Sequence, residues 1–189
     1  MAPDFRHILK DRTQLDHSRV DHALSEFDVA TRDGLRLFLE VHHACFSQMR
    51  HVSDQDSDTA AGLTDMIDRI DADLKVLGGR PTDLSPVISG PIDGLACAYL
   101  IEGSRLGSKI LARRWASSGD AVVNTANAYF TLEPVKGRWR AVCDALADVP
   151  SDSPRAETIV RDTSALFGLF LRAALAVANT DMTDKVRAS

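Results

Sequence analysis

A histidine and an aspartate lie one helical turn apart near the start of the chain, in LKDRTQLDHSRVD at residues 9–21. A helix places His17 and Asp21 on the same face because they are four residues apart. A carboxylate beside one ring nitrogen is the partner that a metal-bound imidazole usually has. Lys10, two turns earlier, could meet a carboxylate of a ligand. The alternatives are a core histidine without a ligand and a solvated lysine.

Two glycines interrupt a second segment, AYLIEGSRLGSKILARRW at residues 98–115. Gly103 and Gly107 each cost a helix interior about 1 kcal/mol relative to alanine. Four residues apart, they remove every Cβ from one turn of one helix face. That bare backbone could contact a neighbouring helix, act as a hinge, or lie against a large flat ligand. On the glycine pair alone, a helix contact is the simplest of the three.

A third arrangement is EVHH, in which Glu40 and His43 have the E-x-x-H spacing of carboxylate-bridged di-iron bundles. Such a site needs a second motif and two further glutamates, and the sequence has no second E-x-x-H. His42 falls on an apolar face and is predicted to be a core histidine. His7 and His51 are predicted to lie on the surface. A di-iron centre therefore stays an alternative whose second E-x-x-H motif is missing.

Helical periodicity dominates the elements that must position these residues. We predict a single all-α domain over residues 1–189 with six to eight helices, in which residues 182–189 form a frayed tail. Irregular chain is expected over residues 78–94, where glycine and proline cluster. The predicted helices span 5–25, 33–50, 60–77, 94–117, 121–130, 137–147 and 154–179.

The apolar stripe of the first predicted helix includes Leu9, Thr13 and Val20, and His17 lies on the same stripe. We therefore expect His17 to point inward. The second helix is expected to begin at an N-cap supplied by Thr31 or Asp33. The third is expected to end at glycines 78 and 79.

Composition excludes several classes of function. The net charge of −5 gives no general attraction to nucleic acid or to anionic membranes, so neither is expected as a partner. The first residues lack the apolar core of a signal peptide and no apolar run approaches about 20 residues, so we expect a cytoplasmic protein. Cys45, Cys97 and Cys143 are odd in number and lie in apolar patterns, which indicates buried free thiols.

These motifs together resemble the heme oxygenases. LKDRTQLDHSRVD resembles the family's proximal helix, and YLIEGSRLGSKILARR resembles the distal helix in the EGSxLGG form of bacterial biliverdin-producing members, including those that supply bacteriophytochromes. FLEVHHACF and GRWRAVCDAL stand where the family carries FLxxH and WRxFxxxL. The resemblance covers residues 8–175. It implies a multi-helical bundle in which heme lies between the proximal and the distal helix.

The resemblance implies a role for each residue that matches. His17 would be the axial ligand of the heme iron, supported by Asp21. Gly103 and Gly107 would let the distal helix lie close to the other face of the macrocycle and so would be the catalytic positions. Lys10 and Arg140 would pair with the heme propionates.

Three positions depart from the family pattern. Ser108 replaces the second glycine of LGG, and Gln14 stands where animal members carry a lysine. Ser104, with Arg105 beside it, stands where animal members place an acidic residue that organises distal water. Ser104 is expected to contact the heme, but the water-organising role is unassigned.

The implied function is cleavage of heme to biliverdin with release of CO and ferrous iron. It uses O2 and electrons from an external donor such as a ferredoxin and its reductase, and heme is both cofactor and substrate. A bacteriophytochrome would be a biliverdin acceptor. Two alternatives stay open: a relative that binds heme or a bilin without turnover, motivated by Ser108, and a di-iron oxygenase on the same scaffold.

Overall fold

A computed structural model describes residues 4–54, 57–81, 88 and 90–188. The described chain is mostly helical, which confirms the predicted all-α class. Seven helices occur in these ranges, most of them close to the predicted bounds. They are α1 (Phe5–Ser25), α2 (Arg32–Val52), α3 (Ser57–Leu77), α4 (Gly94–Ala116), α5 (Ala121–Thr125), α6 (Arg138–Ala147) and α7 (Pro154–Ala188).

The structure differs from the predicted elements in three places. Helix α5 ends at Thr125 instead of residue 130, and hydrogen-bonded turns follow it. Helix α7 continues to Ala188, so the tail expected to fray from residue 182 is helical up to that point. Two strands of two residues each, β1 (Ser53–Asp54) and β2 (Ile92–Asp93), pair in parallel where none was predicted. Residues 82–87 and 89 of the predicted connection lie outside the described residues.

Local side chains explain why the long helices begin and end where they do. The Thr31 hydroxyl accepts a hydrogen bond from the Gly34 amide at 3.1 Å, which confirms the predicted cap of α2. Asp4 caps α1 by accepting from the His7 amide at 3.1 Å. Gly78 ends α3 with a positive φ of 72°, a conformation that glycine adopts without steric cost.

Helix α7 is the central element of the packing. It contacts α1, α2 and α4, while α3 packs on α2 and α6 packs on α4. Residues 154–183 are long and apolar enough to cross a membrane by length and composition alone. The same pattern is typical of the core helix of a globular domain, and Leu166, Leu169 and Phe170 of α7 are buried in the shared core.

His42 is a core histidine, as its position on the apolar face predicts. Its side chain is buried against the rings of Phe38, Phe46, Tyr129 and Phe170. The imidazole Nδ1 lies 2.8 Å from the Phe38 carbonyl oxygen, to which it donates when that nitrogen carries the proton. Burial lowers the pKa of His42 from 6.5 to about 4, and the bond to the carbonyl opposes this only in part. His42 is therefore neutral at pH 7.

Asp73 is a further buried group that organises the core. Both carboxylate oxygens of Asp73 accept backbone amides, from Ala128 at 2.9 Å and Tyr129 at 2.8 Å, and so attach the chain after α5 to α3. Burial raises the pKa of Asp73, while these amides oppose the rise. Cys45 and Cys97 are buried free thiols as predicted, whereas Cys143 is half-buried.

Gly34 lies in the first turn of α2, and the preceding loop lies directly over it. A Cβ at this position would overlap the backbone of Asp28, which is held in place because the Asp28 carbonyl also accepts from the Thr31 amide at 2.8 Å. The close approach of these two backbone segments therefore requires glycine at position 34.

We expect Gly34→Ala to lower the free energy of unfolding by about 2 kcal/mol, because the added methyl group forces the loop away from α2. Chemical denaturation of the purified variant measures this change. Gly119→Ala is the matched control, since Gly119 is exposed and no described atom lies within 4 Å of the position that an added methyl group would take. Equal stabilities of the two variants would contradict the steric argument.

The low pKa of His42 makes stability depend on pH. Below pH 6.5 the unfolded chain binds a proton at His42 that the folded protein does not bind, so stability is lost as the pH falls from about 6.5 to about 4. The full difference corresponds to about 3 kcal/mol. Denaturation from pH 7 to pH 4.5 should show a smaller loss for His42→Phe than for wild type. An unchanged pH dependence in this variant would contradict a neutral buried His42.

Candidate functional site

His17 lies on α1, and its imidazole is 52% exposed. The expectation that it points into the core is wrong. The apolar stripe of α1 is buried at Leu9, Thr13 and Val20, but His17 lies at its edge, where its ring contacts that of Phe167. The two rings are edge to face with centroids 5.3 Å apart. One side of the imidazole is thus held by α7 and the rest is accessible.

Asp21 stands beside His17 as the spacing predicts. A carboxylate oxygen of Asp21 lies 3.1 Å from His17 Nδ1, and Asp21 itself is 65% exposed. The position of the carboxylate assigns Nδ1 to the contact with Asp21. It leaves Nε2 as the ring nitrogen that can coordinate a metal ion.

A cavity of about 290 Å³ opens beside the N-terminal half of α1. One wall belongs to α1 and is basic, and the opposite wall is aromatic and comes from α4 and α6. Tyr99 and Trp139 form the aromatic wall, with ring centroids 5.7 Å apart and planes inclined by 33°. Burial raises the pKa of Tyr99, so its hydroxyl stays protonated. The residues that line the cavity are Arg6, His7, Lys10, Tyr99 and Trp139.

The basic wall is organised by contacts within the first turn of α1. Asp4 lies 2.7 Å from Nδ1 of His7, and Nε2 of His7 lies 3.0 Å from the Arg6 guanidinium. With a proton on Nδ1, His7 donates to Asp4 and accepts from Arg6. Arg6 also reaches the Cys143 sulfur of α6 at 3.9 Å. Lys10 follows Arg6 by one turn, at a place where a lysine can meet an anionic group of a ligand.

The two glycines of α4 meet different surroundings. At Gly103 a Cβ would lie 3.7 Å from the Trp139 ring, an ordinary van der Waals contact. At Gly107 no described atom lies within 4 Å of the Cβ position. No helix backbone therefore packs on either glycine in the described chain, which removes the simplest interpretation of the pair. Ile110, one turn after Gly107, is 74% exposed.

Of the predicted site residues, Lys10 lines the cavity, and the described lining does not include His17, Asp21, Gly103, Gly107, Ser104 or Arg140. The Ser104 hydroxyl donates to the Ile101 carbonyl at 2.8 Å, and the Ser108 hydroxyl donates to the Arg105 carbonyl at the same distance. Arg140 is 87% exposed and lies 3.8 Å from Asp144. The propionate role of Arg140 and the heme contact of Ser104 stay predictions that depend on the resemblance alone.

A charge network that runs from the exposed Asp58 to the buried Glu102 holds α6 against α3 and α4. Arg138, the first residue of α6, donates to Asp58 at 3.0 Å and to Thr59 at 2.9 Å. Its Nε lies 3.9 Å from Glu102, which is 6% exposed and also 3.8 Å from Arg105. Within the described residues, Nε of the buried Arg105 has no hydrogen-bond acceptor. The network fixes the start of α6 and thereby the position of Trp139.

Sequence reasoning missed Arg6, Tyr99 and Trp139. Arg6 precedes Lys10 by one turn and Tyr99 precedes Gly103 by one turn, so helical spacing could have placed both on the site faces. Trp139 comes from a different helix, and only the packing of α6 on α4 brings it to Gly103.

The residues of the di-iron alternative are engaged separately. Glu40 accepts from Arg36 at 2.9 Å, and His43 lies 3.1 Å from Asp71. Burial lowers the pKa of His43, and the Asp71 carboxylate opposes that shift. A group of three or more metal-ligating side chains does not occur in the part of the chain that the structure describes. Nothing in these contacts brings a second ligand pair to Glu40 and His43.

No family model matches the chain, and neither the curated proteins nor the solved structures yielded a match. The assignment of the site therefore depends on the residues and their geometry.

We expect Gly107→Ala to raise the free energy of unfolding of the unliganded protein by about 1 kcal/mol, because alanine favours the helix and the methyl group meets open space. Gly103→Ala should also be tolerated, since its methyl group makes only an ordinary contact with Trp139. Urea denaturation of both variants measures this. Destabilisation by Gly107→Ala would show that the folded protein itself needs this glycine.

We expect Arg138→Met to lower the free energy of unfolding by about 3 kcal/mol, because it removes a counter-charge from the buried Glu102. Adding Glu102→Gln to this variant should restore part of the loss. Arg140→Met, two residues later on the exposed face of α6, should change stability by less than about 0.5 kcal/mol. Similar losses for Arg138→Met and Arg140→Met would contradict the role of the network.

Proposed function

We propose that this chain has the heme oxygenase fold and acts as a heme oxygenase. It would open heme to biliverdin with release of CO and ferrous iron. The observation that carries the proposal is the open space beside the Gly107 backbone. This glycine weakens α4, and no described atom of the folded protein needs the space that its missing side chain leaves. A glycine with a cost and no role in packing is explained by a ligand that lies against the backbone.

Side chains of α1 and the lining of the cavity fit heme. His17 offers Nε2 to the iron, while Asp21 and Phe167 hold the other side of the ring. A neutral histidine with a carboxylate on its second nitrogen is the usual form of an axial imidazole ligand. The basic wall at Arg6 and Lys10 fits the two carboxylates of heme.

Heme, when bound, supplies the iron that activates O2, with electrons from an external donor such as a ferredoxin and its reductase. The protein's own residues bind and orient it. His17 would hold the iron through Nε2, and Asp21 would fix the tautomer of its ring. Lys10 and Arg6 would hold the carboxylates, and Gly107 would keep the α4 backbone accessible to the ligand. We place this activity in the cytoplasm, with a bacteriophytochrome as a candidate acceptor of the product.

Hemin titration of the purified protein tests the proposal. We expect a Soret band that saturates at one hemin per chain, and His17→Ala should shift or abolish it. His22→Ala is the control, because His22 is an exposed histidine of the same helix. The absence of a saturable Soret band in wild type, or equal spectra for the two variants, would contradict the proposed ligand.

Turnover separates the enzyme from a second candidate, a relative that binds heme or a bilin without cleaving it. Trp139 over Gly103 favours this candidate, since it covers half of the bare face of α4. With a reductant and O2, the enzyme should lose the Soret band and form biliverdin, which chromatography identifies. A Soret band that persists under these conditions would select the binding protein.

A further inference from the structure

We propose that Trp139 determines the specificity of this site, because its indole covers Gly103 and confines a flat tetrapyrrole to the part of α4 around Gly107. The inference rests on the proposed function and adds a residue from α6 to it. Trp139 stands at the boundary between two regions. On one side is the cavity that it lines with Arg6, Lys10 and Tyr99, and on the other is the open face of α4.

The position of the indole follows from its contacts. The ring lies 3.7 Å from the position that a Cβ at residue 103 would take, and its plane is inclined by 33° to the Tyr99 ring one turn earlier. Two successive turns of one face of α4 are therefore occupied by Trp139. The next turn, at Gly107, is open within the described residues, and Ile110 beyond it is 74% exposed.

The contacts that hold the start of α6 also fix the position of the Trp139 indole. Arg138, the neighbouring residue, is held by Asp58, Thr59 and Glu102. Trp139 cannot withdraw from Gly103 without a rotation of its own side chain or the loss of these contacts. Residues one turn apart on a helix are separated by about 6 Å along its axis. A tetrapyrrole is wider than that, so the indole restricts how far it can slide along α4 toward Tyr99.

The size of residue 139 should therefore set the in-plane orientation of bound heme. When the indole is removed, the macrocycle gains access to Gly103 and Tyr99 and can turn relative to the axial His17. A rotation of this kind changes which edge of the ring faces α4. Removal of the indole should therefore change the in-plane orientation of bound heme and the ratio of biliverdin isomers.

The test uses the full chain with hemin and cyanide, and proton NMR of the ferric complex. The shifted heme methyl resonances report the in-plane orientation relative to the axial histidine. We expect Trp139→Ala to change their order and spacing while hemin affinity stays within about tenfold of wild type. Trp139→Phe, which keeps a ring at the position and preserves the fold, should shift them in the same direction by less.

The control is Trp115→Phe, because Trp115 lies at the far end of α4, where it packs on Phe130 and donates to the Val123 carbonyl. Its complex should keep the wild-type methyl pattern. Hemin binding with the same methyl pattern in wild type, Trp139→Phe and Trp139→Ala would overturn the role of Trp139 and leave the proposed function intact. A wild-type chain that does not bind hemin would overturn the proposed function and this inference with it.

Discussion

Glu102 is a carboxylate buried inside the protein, and its need for counter-charges is one of the constraints that hold α6 on α4, beside the burial of Val142 and Leu146. An unpaired charge in the interior costs several kcal/mol, so Glu102 keeps Arg105 and Arg138 close to it. Arg105 belongs to the same helix, but Arg138 begins α6 and brings that helix onto α4. Trp139 follows at the next position, and its ring lies 3.7 Å from the position that a Cβ at residue 103 would take. The aromatic wall of the cavity therefore depends in part on this buried charge.

Most of the fold could be predicted from the sequence because helices are local structures. The periodicity of apolar residues gives the faces of α1 and α2, and side chains within a few residues set their ends. Thr31 as the cap of α2 and Gly78 as the end of α3 are examples. Helix α7 continues to Ala188, beyond its predicted end at residue 179. The residues after 179 are mostly polar, so they show no apolar periodicity from which the helix could be predicted.

The site could be predicted only in part, because its walls come from helices that are distant in sequence. The spacing of His17 and Asp21 correctly gives their proximity. Whether the imidazole is buried depends on how α7 crosses α1, and periodicity contains no information on that crossing. The approach of Trp139 to Gly103 joins two different helices and depends on how α6 packs on α4. Helical spacing indicates that Arg6 shares a face of α1 with Lys10 and that Tyr99 shares a face of α4 with Gly103. It does not indicate that these two faces line the same cavity.

Under the proposed function, Gly107 would link the lifetime of the protein to its ligand. A helix that keeps a glycine in open space is less stable than its sequence could make it, and a ligand that binds only the folded state restores stability by mass action. Under the proposed function the ligand is also the substrate, so every completed reaction removes the molecule that stabilises the fold. The chain would be most resistant to degradation when heme is plentiful and least resistant after it has consumed the supply. Its abundance would then follow demand without a separate regulator.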